Sequence, residues 1–407
     1  MRRALPLILL TVLAPVLSAC ASSGSSPSPT TSTAPSPTSP APSSQTGSSP
    51  NDIGCPLGET AYQEVSVAFA SRELGLVAVN HESAAGISWA AIQRTANGGR
   101  TWQTVFVTDR LFIHQLVWTS KDTAVAATTS GLLVTRNQGA TWTLSPGLPV
   151  CSVQAPSPGT AYAVTSAGLY RITEPTMRLT PLTTPLPVAG IHFVNAKLGW
   201  LAGPSGIAAT ENGGRTWHVQ LRFRHPYYRG WEASLATASG SQLVAIYANG
   251  TLMGSPAVEI YGSADGGRGW TLEEGGGYVP VPTGQVPVGG GDQAGATDGQ
   301  AVAIAPGETV LVGTKGKAEP STEASAPSLC ETSDMGRGWM CRRFLFLLWQ
   351  NATLDAGYDG EITAGGGQWW VAVVDGTQLV IANSANQGVS WPVRERIPLS
   401  QRPQLSQ

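Results

Sequence analysis

The stretch TENGGRTW at residues 210–217 decides the fold, because the same eight-residue pattern recurs along the chain. Its frame is Ser/Thr-x-Asp/Asn-x-Gly-x-Thr-Trp, and six copies are present. The other five are TANGGRTW (95–102), TRNQGATW (135–142), SADGGRGW (263–270), TSDMGRGW (332–339) and SANQGVSW (384–391). Recurrence of one motif along the chain indicates that a supersecondary unit is repeated and that the repeats stack on one another.

The residue types of this pattern predict the tip of a β-hairpin. An Asp or Asn side chain can accept hydrogen bonds from nearby backbone N–H groups, and the large Trp can cover the hairpin. We therefore assign a structural role to Asn97, Trp102, Asn137, Trp142, Asn212, Trp217, Asp265, Trp270, Asp334, Trp339, Asn386 and Trp391. Gly269 and Gly338 stand where Thr is usual, so these two tips should lack one side-chain hydrogen bond.

Strand-like segments surround each tip. Residues 65–69 and 75–79 precede the first copy, a third segment leads into the tip, and a fourth leaves through the Trp. Four antiparallel strands are the content of one β-propeller blade. Residues 151–173 form a further unit without the pattern. The sequence therefore predicts an all-β fold, a single seven-bladed β-propeller of four-stranded antiparallel blades.

The repeat resembles the Asp box, or BNR repeat, of sialidases, sortilin-type receptors and photosystem II assembly factors. The phrase IHFVNAKLGWLAG (191–203), followed by TENGGRTW, is similar to the photosystem II assembly-factor family of exported WD40/YVTN/BNR-like propellers. The similarity covers roughly residues 60–395 and implies a seven-bladed propeller. Because it rests on scaffold residues, it implies the fold more than the role.

The N-terminal end predicts export and membrane anchoring. Two arginines precede the apolar stretch 5–17, which is too short to span a bilayer as a helix. Leu17-Ser18-Ala19-Cys20 resembles the bacterial lipobox, so residues 1–20 should be a lipoprotein signal peptide and Cys20 the lipidated residue. Residues 21–52 are a Ser/Pro/Thr-rich linker that should stay disordered. The expected location is the bacterial cell envelope, with the propeller at 53–400 on the outer face of the cytoplasmic membrane or otherwise extracytoplasmic.

Four cysteines remain after the lipobox, and an even number in an exported chain suggests two disulfides. Cys330 and Cys341 flank the fifth tip, in which Thr332 and Trp339 should oppose each other. Opposed positions of an antiparallel pair have a constant sum of residue numbers, so Cys330 and Cys341 should also be opposed and bonded. By elimination, Cys55 should pair with Cys151.

Composition limits the possible partners. The formal net charge is −2 and only 12% of the residues are charged, which argues against nucleic acid. The cysteines and five histidines are scattered, so no metal site and no cofactor is expected.

The ligand-binding face should lie opposite the Asp boxes, where loops join consecutive blades. In residues 222–231, Arg and aromatic side chains are concentrated as in interface hot spots. The alternative is a solvated loop whose aromatic side chains cover blade edges. The candidate binding residues are Arg222, Arg224, His225, Tyr227, Tyr228, Arg229 and Trp231.

These observations favour a non-catalytic binding or assembly module for a protein or glycan partner. The alternative is an exo-sialidase-like glycoside hydrolase, which requires three arginines, an acidic residue and a tyrosine nucleophile. Sialidases carry an Arg-Ile-Pro motif ahead of the first box, whereas Arg396-Ile397-Pro398 follows the last box here. No catalytic set is predicted.

Overall fold

A computed structural model describes most of the chain from residue 65 onward. The described residues are 65–82, 88–223, 231–239, 241–252, 255–275, 302–305, 309–314, 328–332, 340–343, 360–365, 367–375, 378–386, 388, 390–399 and 402–405. The predicted signal peptide and linker, with Cys20 and Cys55, lie outside these residues.

The strands group in chain order into four-stranded antiparallel sheets, of which the described residues contain seven. The first sheet is β1 Val65–Phe69, β2 Gly75–Glu82, β3 Ser88–Thr95 and β4 Gln103–Thr108. The second is β5 Ile113–Trp118, β6 Ala124–Thr128, β7 Gly131–Thr135 and β8 Thr143–Pro146. The third is β9 Val150–Ser157, β10 Thr160–Thr165, β11 Gly168–Thr173 and β12 Arg178–Pro181.

The fourth sheet contains β13 Gly190–Phe193, β14 Gly199–Gly203, β15 Gly206–Thr210 and β16 His218–Arg222. The fifth contains β17 Trp231–Ser239, β18 Gln242–Leu252, β19 Ser255–Ser263 and β20 Thr271–Gly275. The sixth contains β21 Val302–Ala305, β22 Thr309–Thr314, β23 Ser328–Thr332 and β24 Met340–Arg343. The seventh contains β25 Gly360–Gly365, β26 Gln368–Asp375, β27 Gln378–Ser384 and β28 Val393–Pro398.

The sheets are arranged as a β-propeller, so the all-β propeller prediction is confirmed. The first strand of each sheet contacts the first strand of the next, and β25 contacts β1, which closes the ring. At this closure the Phe69 ring stacks on Trp370 with ring centroids 3.8 Å apart. The structure therefore joins its first and last sheets by side-chain packing.

The hydrophobic core lies between neighbouring sheets rather than in one central mass. The second and third strands are covered on both sides, and β6, β7, β14 and β15 are buried throughout. Strands covered on both faces are continuously apolar, as in Leu132–Val134 of β7. The unit that lacks an Asp box has the same architecture, since β9 to β12 form a complete sheet at the predicted place.

The backbone register of β23 and β24 places Cys330 directly opposite Cys341, as predicted. Whether these two thiols are bonded stays a prediction, because their side chains lie outside the description. Cys151 in β9 is buried and disulfide-bonded. Its partner's side chain lies outside the described part of the chain, so the pairing with Cys55 also stays a prediction.

Candidate functional site

The Asp boxes and the predicted binding loop lie on opposite faces of the propeller. Each box joins the third strand of a sheet to the fourth. Because the strands are antiparallel, the turns between second and third strands, and the connections from one sheet to the next, lie on the other face. We call these the box face and the loop face.

Asp-box side chains are hydrogen-bonded within their own hairpins. In the box at 210–217, the Gly214 N–H donates to Thr210 Oγ1 at 2.9 Å, and the Thr216 N–H donates to Asn212 Oδ1 at 2.9 Å. The boxes at 95–102, 135–142 and 384–391 repeat both contacts. In the box at 263–270, Gly269 replaces the threonine. Its N–H donates to Asp265 Oδ1 at 2.8 Å, but the hydrogen bond to a threonine hydroxyl is lost. The box oxygens thus stabilise turns.

On the loop face, the hairpin of β18 and β19 reaches further than its neighbours. Leu243 opposes the box residue Ser263, and β18 continues nine residues beyond it to Leu252. The equivalent hairpins of the fourth and sixth sheets continue four residues, from Gly199 to Gly203 and from Val310 to Thr314. At 3.3 Å per residue, strand β18 is therefore roughly 16 Å longer on this side than the described strands β14 and β22.

Aromatic residues at the base of the long hairpin hold it against the fourth sheet. Phe223 packs against Tyr247 and Tyr261, with ring centroids 5.1 and 5.4 Å apart. The Tyr247 hydroxyl donates to the Gly206 carbonyl at 3.3 Å, and the Tyr261 hydroxyl donates to Glu259 Oε2 at 2.8 Å. Burial raises the pKa of both phenols. Both remain neutral donors, so the base is a fixed support.

The structure places the ends of the predicted binding loop beside this hairpin. Arg222 is exposed at the end of β16, and Trp231 opens β17 opposite Asn249 of β18. Phe223, which was not among the predicted binding residues, is partly buried and belongs to the base of the hairpin. The remaining candidates lie outside the described residues: Arg224, His225, Tyr227, Tyr228 and Arg229.

The innermost strands form a second polar feature, which was not predicted from the sequence. The Val67 N–H donates to Glu361 Oε2, the Leu116 N–H donates to Ser66 Oγ, and the Val153 N–H donates to Gln115 Oε1. Gln154 accepts from the Phe193 N–H at 2.6 Å and contacts His192. We call Glu361, Ser66, Gln115, Gln154 and His192 the inner belt. Its members are polar residues of the first strands of different sheets.

Burial perturbs the titratable groups near the innermost strands. It raises the pKa of Glu361 to about 7, although hydrogen bonds from Val67, Ser66 and Gln115 act in the opposite direction. Burial lowers the pKa of His192 to about 4, and that of His114 on β5 likewise to about 4. The two imidazoles are therefore neutral at pH 7, whereas Glu361 is close to its midpoint.

Within the described part of the chain, no cluster of three or more His, Cys, Asp or Glu side chains could hold a metal ion. The same part contains no helix that is long and apolar enough to span a membrane. Arg396-Ile397-Pro398 lies in the outermost strand β28 of the last sheet, where Arg396 pairs with Val380.

Comparison with solved structures identifies other propellers. The chain resembles an ancestral GH74 enzyme with a TM-score of 0.53 and 15% identity, covering 86% of this chain and 48% of that one. It therefore spans about half the length of that enzyme. The structure of YCF48 bound to a D1 peptide matches with a TM-score of 0.48 and 13% identity, covering 81% of this chain and 95% of that one.

A protein of unknown function from Dyadobacter fermentans matches with a TM-score of 0.42 and 13% identity, covering 81% of this chain and 96% of that one. No family model and no curated protein matches the sequence. At these identities the shared property is the fold. The chain therefore has the β-propeller fold.

Proposed function

We propose that the chain is a lipid-anchored, extracytoplasmic propeller that binds a protein or glycan partner through its loop face, without catalysing a reaction on it. The observation that carries this proposal is the long hairpin, whose strand β18 continues further on the loop face than the described strands of the two neighbouring sheets. It stands beside the connection 223–230, in which the sequence concentrates Arg and aromatic residues. Arg and aromatic side chains dominate the binding energy of protein interfaces, so a long hairpin next to a segment rich in them favours partner binding.

The base of the hairpin supports this proposal physically. The contacts of Phe223, Tyr247 and Tyr261 fix the hairpin before any partner arrives. A preformed surface loses less conformational entropy on binding than a mobile one. Arg side chains on this surface could bind carboxylate groups of a protein or an acidic glycan in a bidentate manner. The Asp and Asn side chains of the described boxes, by contrast, are already hydrogen-bonded within their own turns.

The binding proposal is tested by partner capture from the detergent-solubilised cell envelope. The Arg222/Arg224/Arg229→Ala variant should weaken capture about thirtyfold or more, the effect of losing an interface hot spot. Arg215/Arg268→Ala is the matched control, because both arginines are exposed in Asp boxes, and it should capture normally. Equal capture by all three proteins would refute the assignment of the loop face. Turnover of a fluorogenic sialoside would favour the hydrolase instead.

The anchor is tested separately. The lipobox at 17–20 and the linker that follows it support lipidation of Cys20. The wild type should partition into detergent on phase separation, and Cys20→Ala should remain in the aqueous phase. Identical partitioning of the two proteins would exclude the lipid anchor and leave the binding proposal standing.

A further inference from the structure

The box face contains a cavity of about 280 Å³ between the first and the last sheet. We call it the seam cavity. Its volume is close to the lower end of the range for small-molecule sites, roughly 300 Å³. The lining includes Arg72, Arg100, Arg394, Glu73, Asn97 and Gln368. Three arginines against one glutamate give the lining a formal charge of +2, although the whole chain has −2.

A buried side chain positions two hydrogen-bond donors of this cavity. Asn383 is 1% exposed, and its Oδ1 accepts a hydrogen bond from Arg394 Nε at 2.6 Å. The Asn383 amide also donates to Gln368 Oε1. These two contacts occupy Nε of Arg394 and the amide oxygen of Gln368. The terminal nitrogens of Arg394 and the amide nitrogen of Gln368 are left as donors towards the cavity.

At the equivalent place between the fourth and fifth sheets, a side chain forms a hydrogen bond from one sheet to the other. Gln220 occupies the position of Arg394, three residues after the box Trp, and its amide donates to the Gly266 carbonyl of the next box at 3.4 Å. At the seam, Arg394 bonds to Asn383 of its own sheet instead. The first box turns a further arginine, Arg100, towards the opening. The seam therefore differs from the contact between the fourth and fifth sheets in the side chain that follows the box Trp and in the partner of that side chain.

The geometry points to a binding site for a small oxyanion: we propose that the seam cavity binds a carboxylate or phosphate group between Arg100 and Arg394, with Gln368 as a further donor. Guanidinium groups pair with both kinds of oxyanion through two parallel hydrogen bonds. Asn383 is a positioning residue, since it holds Arg394 and Gln368 in place. Glu73 in the same lining disfavours highly charged anions and favours a ligand with a single anionic group.

The test is calorimetric titration of the purified propeller with inorganic phosphate and, separately, with glucuronate, at constant ionic strength set with chloride. At least one anion should bind, and the preference between them distinguishes a phosphate from a carboxylate source. Arg394→Ala and Arg100→Ala should each weaken that binding tenfold or more, because each removes charged hydrogen bonds. Arg215→Ala is the matched control, since Arg215 has the box position of Arg100 on the fourth sheet, and it should bind as the wild type does.

Two results would overturn the proposal. One is that neither anion binds more tightly than chloride. The other is that Arg215→Ala weakens binding as much as Arg100→Ala, which would indicate a diffuse charge effect. Arg100 has an exposed side chain, so its variant should keep the wild-type melting temperature and remain interpretable even if Arg394→Ala is less stable. The site lies on the box face, so its failure leaves partner binding at the loop face untouched.

Discussion

At the residue scale, one buried hydroxyl organises each of the Asp boxes whose side chains the structure describes. Thr210 is fully buried, and its Oγ1 accepts from the Gly214 N–H while its O–H donates to Asn212 Oδ1. Thr216 is exposed and receives one side-chain bond, from Asn212 Nδ2 at 2.7 Å. The two threonines therefore make contributions of different size, although both belong to the repeat.

Thr210→Val should lower the free energy of unfolding by about 1–3 kcal/mol, because it leaves the buried Gly214 N–H without an acceptor. Thr216→Val removes a solvent-exposed contact and should cost less than about 1 kcal/mol. Chemical denaturation of the two variants makes the comparison. Equal losses would mean that the buried hydroxyl has no special role in the box.

Glu361 is the inner-belt residue with a testable pH dependence. Its pKa is raised from 4.5 to about 7 in the folded protein, so the folded state binds this proton more tightly than the unfolded state does. Stability from this group is present below pH 4.5 and is lost as the pH rises towards 7. His114 and His192 have lowered pKa values, so their contribution is lost as the pH falls from 6.5 towards 4. Because Glu361 and the two histidines change stability in opposite directions with pH, the effect of Glu361 has to be measured against a variant that differs only at this residue.

Glu361→Gln keeps an acceptor for the Val67 N–H but cannot ionise. Relative to this variant, the wild type should lose stability between pH 5 and pH 8, on the order of 2–3 kcal/mol, since one pKa unit corresponds to about 1.4 kcal/mol. Both histidines are present in both proteins, so their effect cancels in the difference. Free energies of unfolding measured at the two pH values provide the test. A constant difference would show that Glu361 has an ordinary pKa.

At the element scale, strand register follows from the repeat. The opposed pair Cys330 and Cys341 was predicted from the numbering of one hairpin and is present in β23 and β24. Opposed residues have Cα atoms about 4.5–5.5 Å apart, which is within disulfide range. Register thus places the two cysteines of this hairpin opposite each other, at a distance that permits a disulfide bond.

Non-reducing peptide mapping should find Cys330 bonded to Cys341. A Cys330→Ser/Cys341→Ser variant should then lose up to about 3 kcal/mol of stability, the expectation for closing a short loop. As the control, the wild type and the variant are compared under reducing conditions, in which every disulfide is broken and the two proteins should have equal stability. Recovery of either cysteine as a free thiol, or joined to Cys55 or Cys151, would disprove the pairing.

The sequence predicted strands well where periodicity and turn residues agree, and less well elsewhere. The sheet β9 to β12 was predicted without an Asp box, because its apolar runs are bounded by turn residues. The pair Asn249-Gly250 locally favours a turn, yet β18 continues to Leu252 and β19 begins at Ser255. Pairing of Asn249 with Ala257 overrides the local preference. The inner belt and seam cavity join residues from different sheets, so no local pattern could predict them.

At the scale of the whole molecule, the propeller is an asymmetric ring. Its box face consists of hydrogen-bonded turns with one arginine-lined cavity where the first sheet meets the last. Its loop face has the long hairpin of the fifth sheet, beside the connection from the fourth. The proposed lipid anchor would hold this ring at the membrane by a linker, and partner recognition would then occur at the loop face.

Site-specific photo-crosslinking in the intact cell envelope tests this assignment most directly. A photoreactive amino acid is placed at Arg222 or at Asn249 on the loop face, and at Arg215 or Arg268 on the box face. The proposed function predicts a discrete covalent adduct from the first two positions and none from the last two. Adducts from Arg215 and Arg268 alone would contradict it and place the partner on the box face.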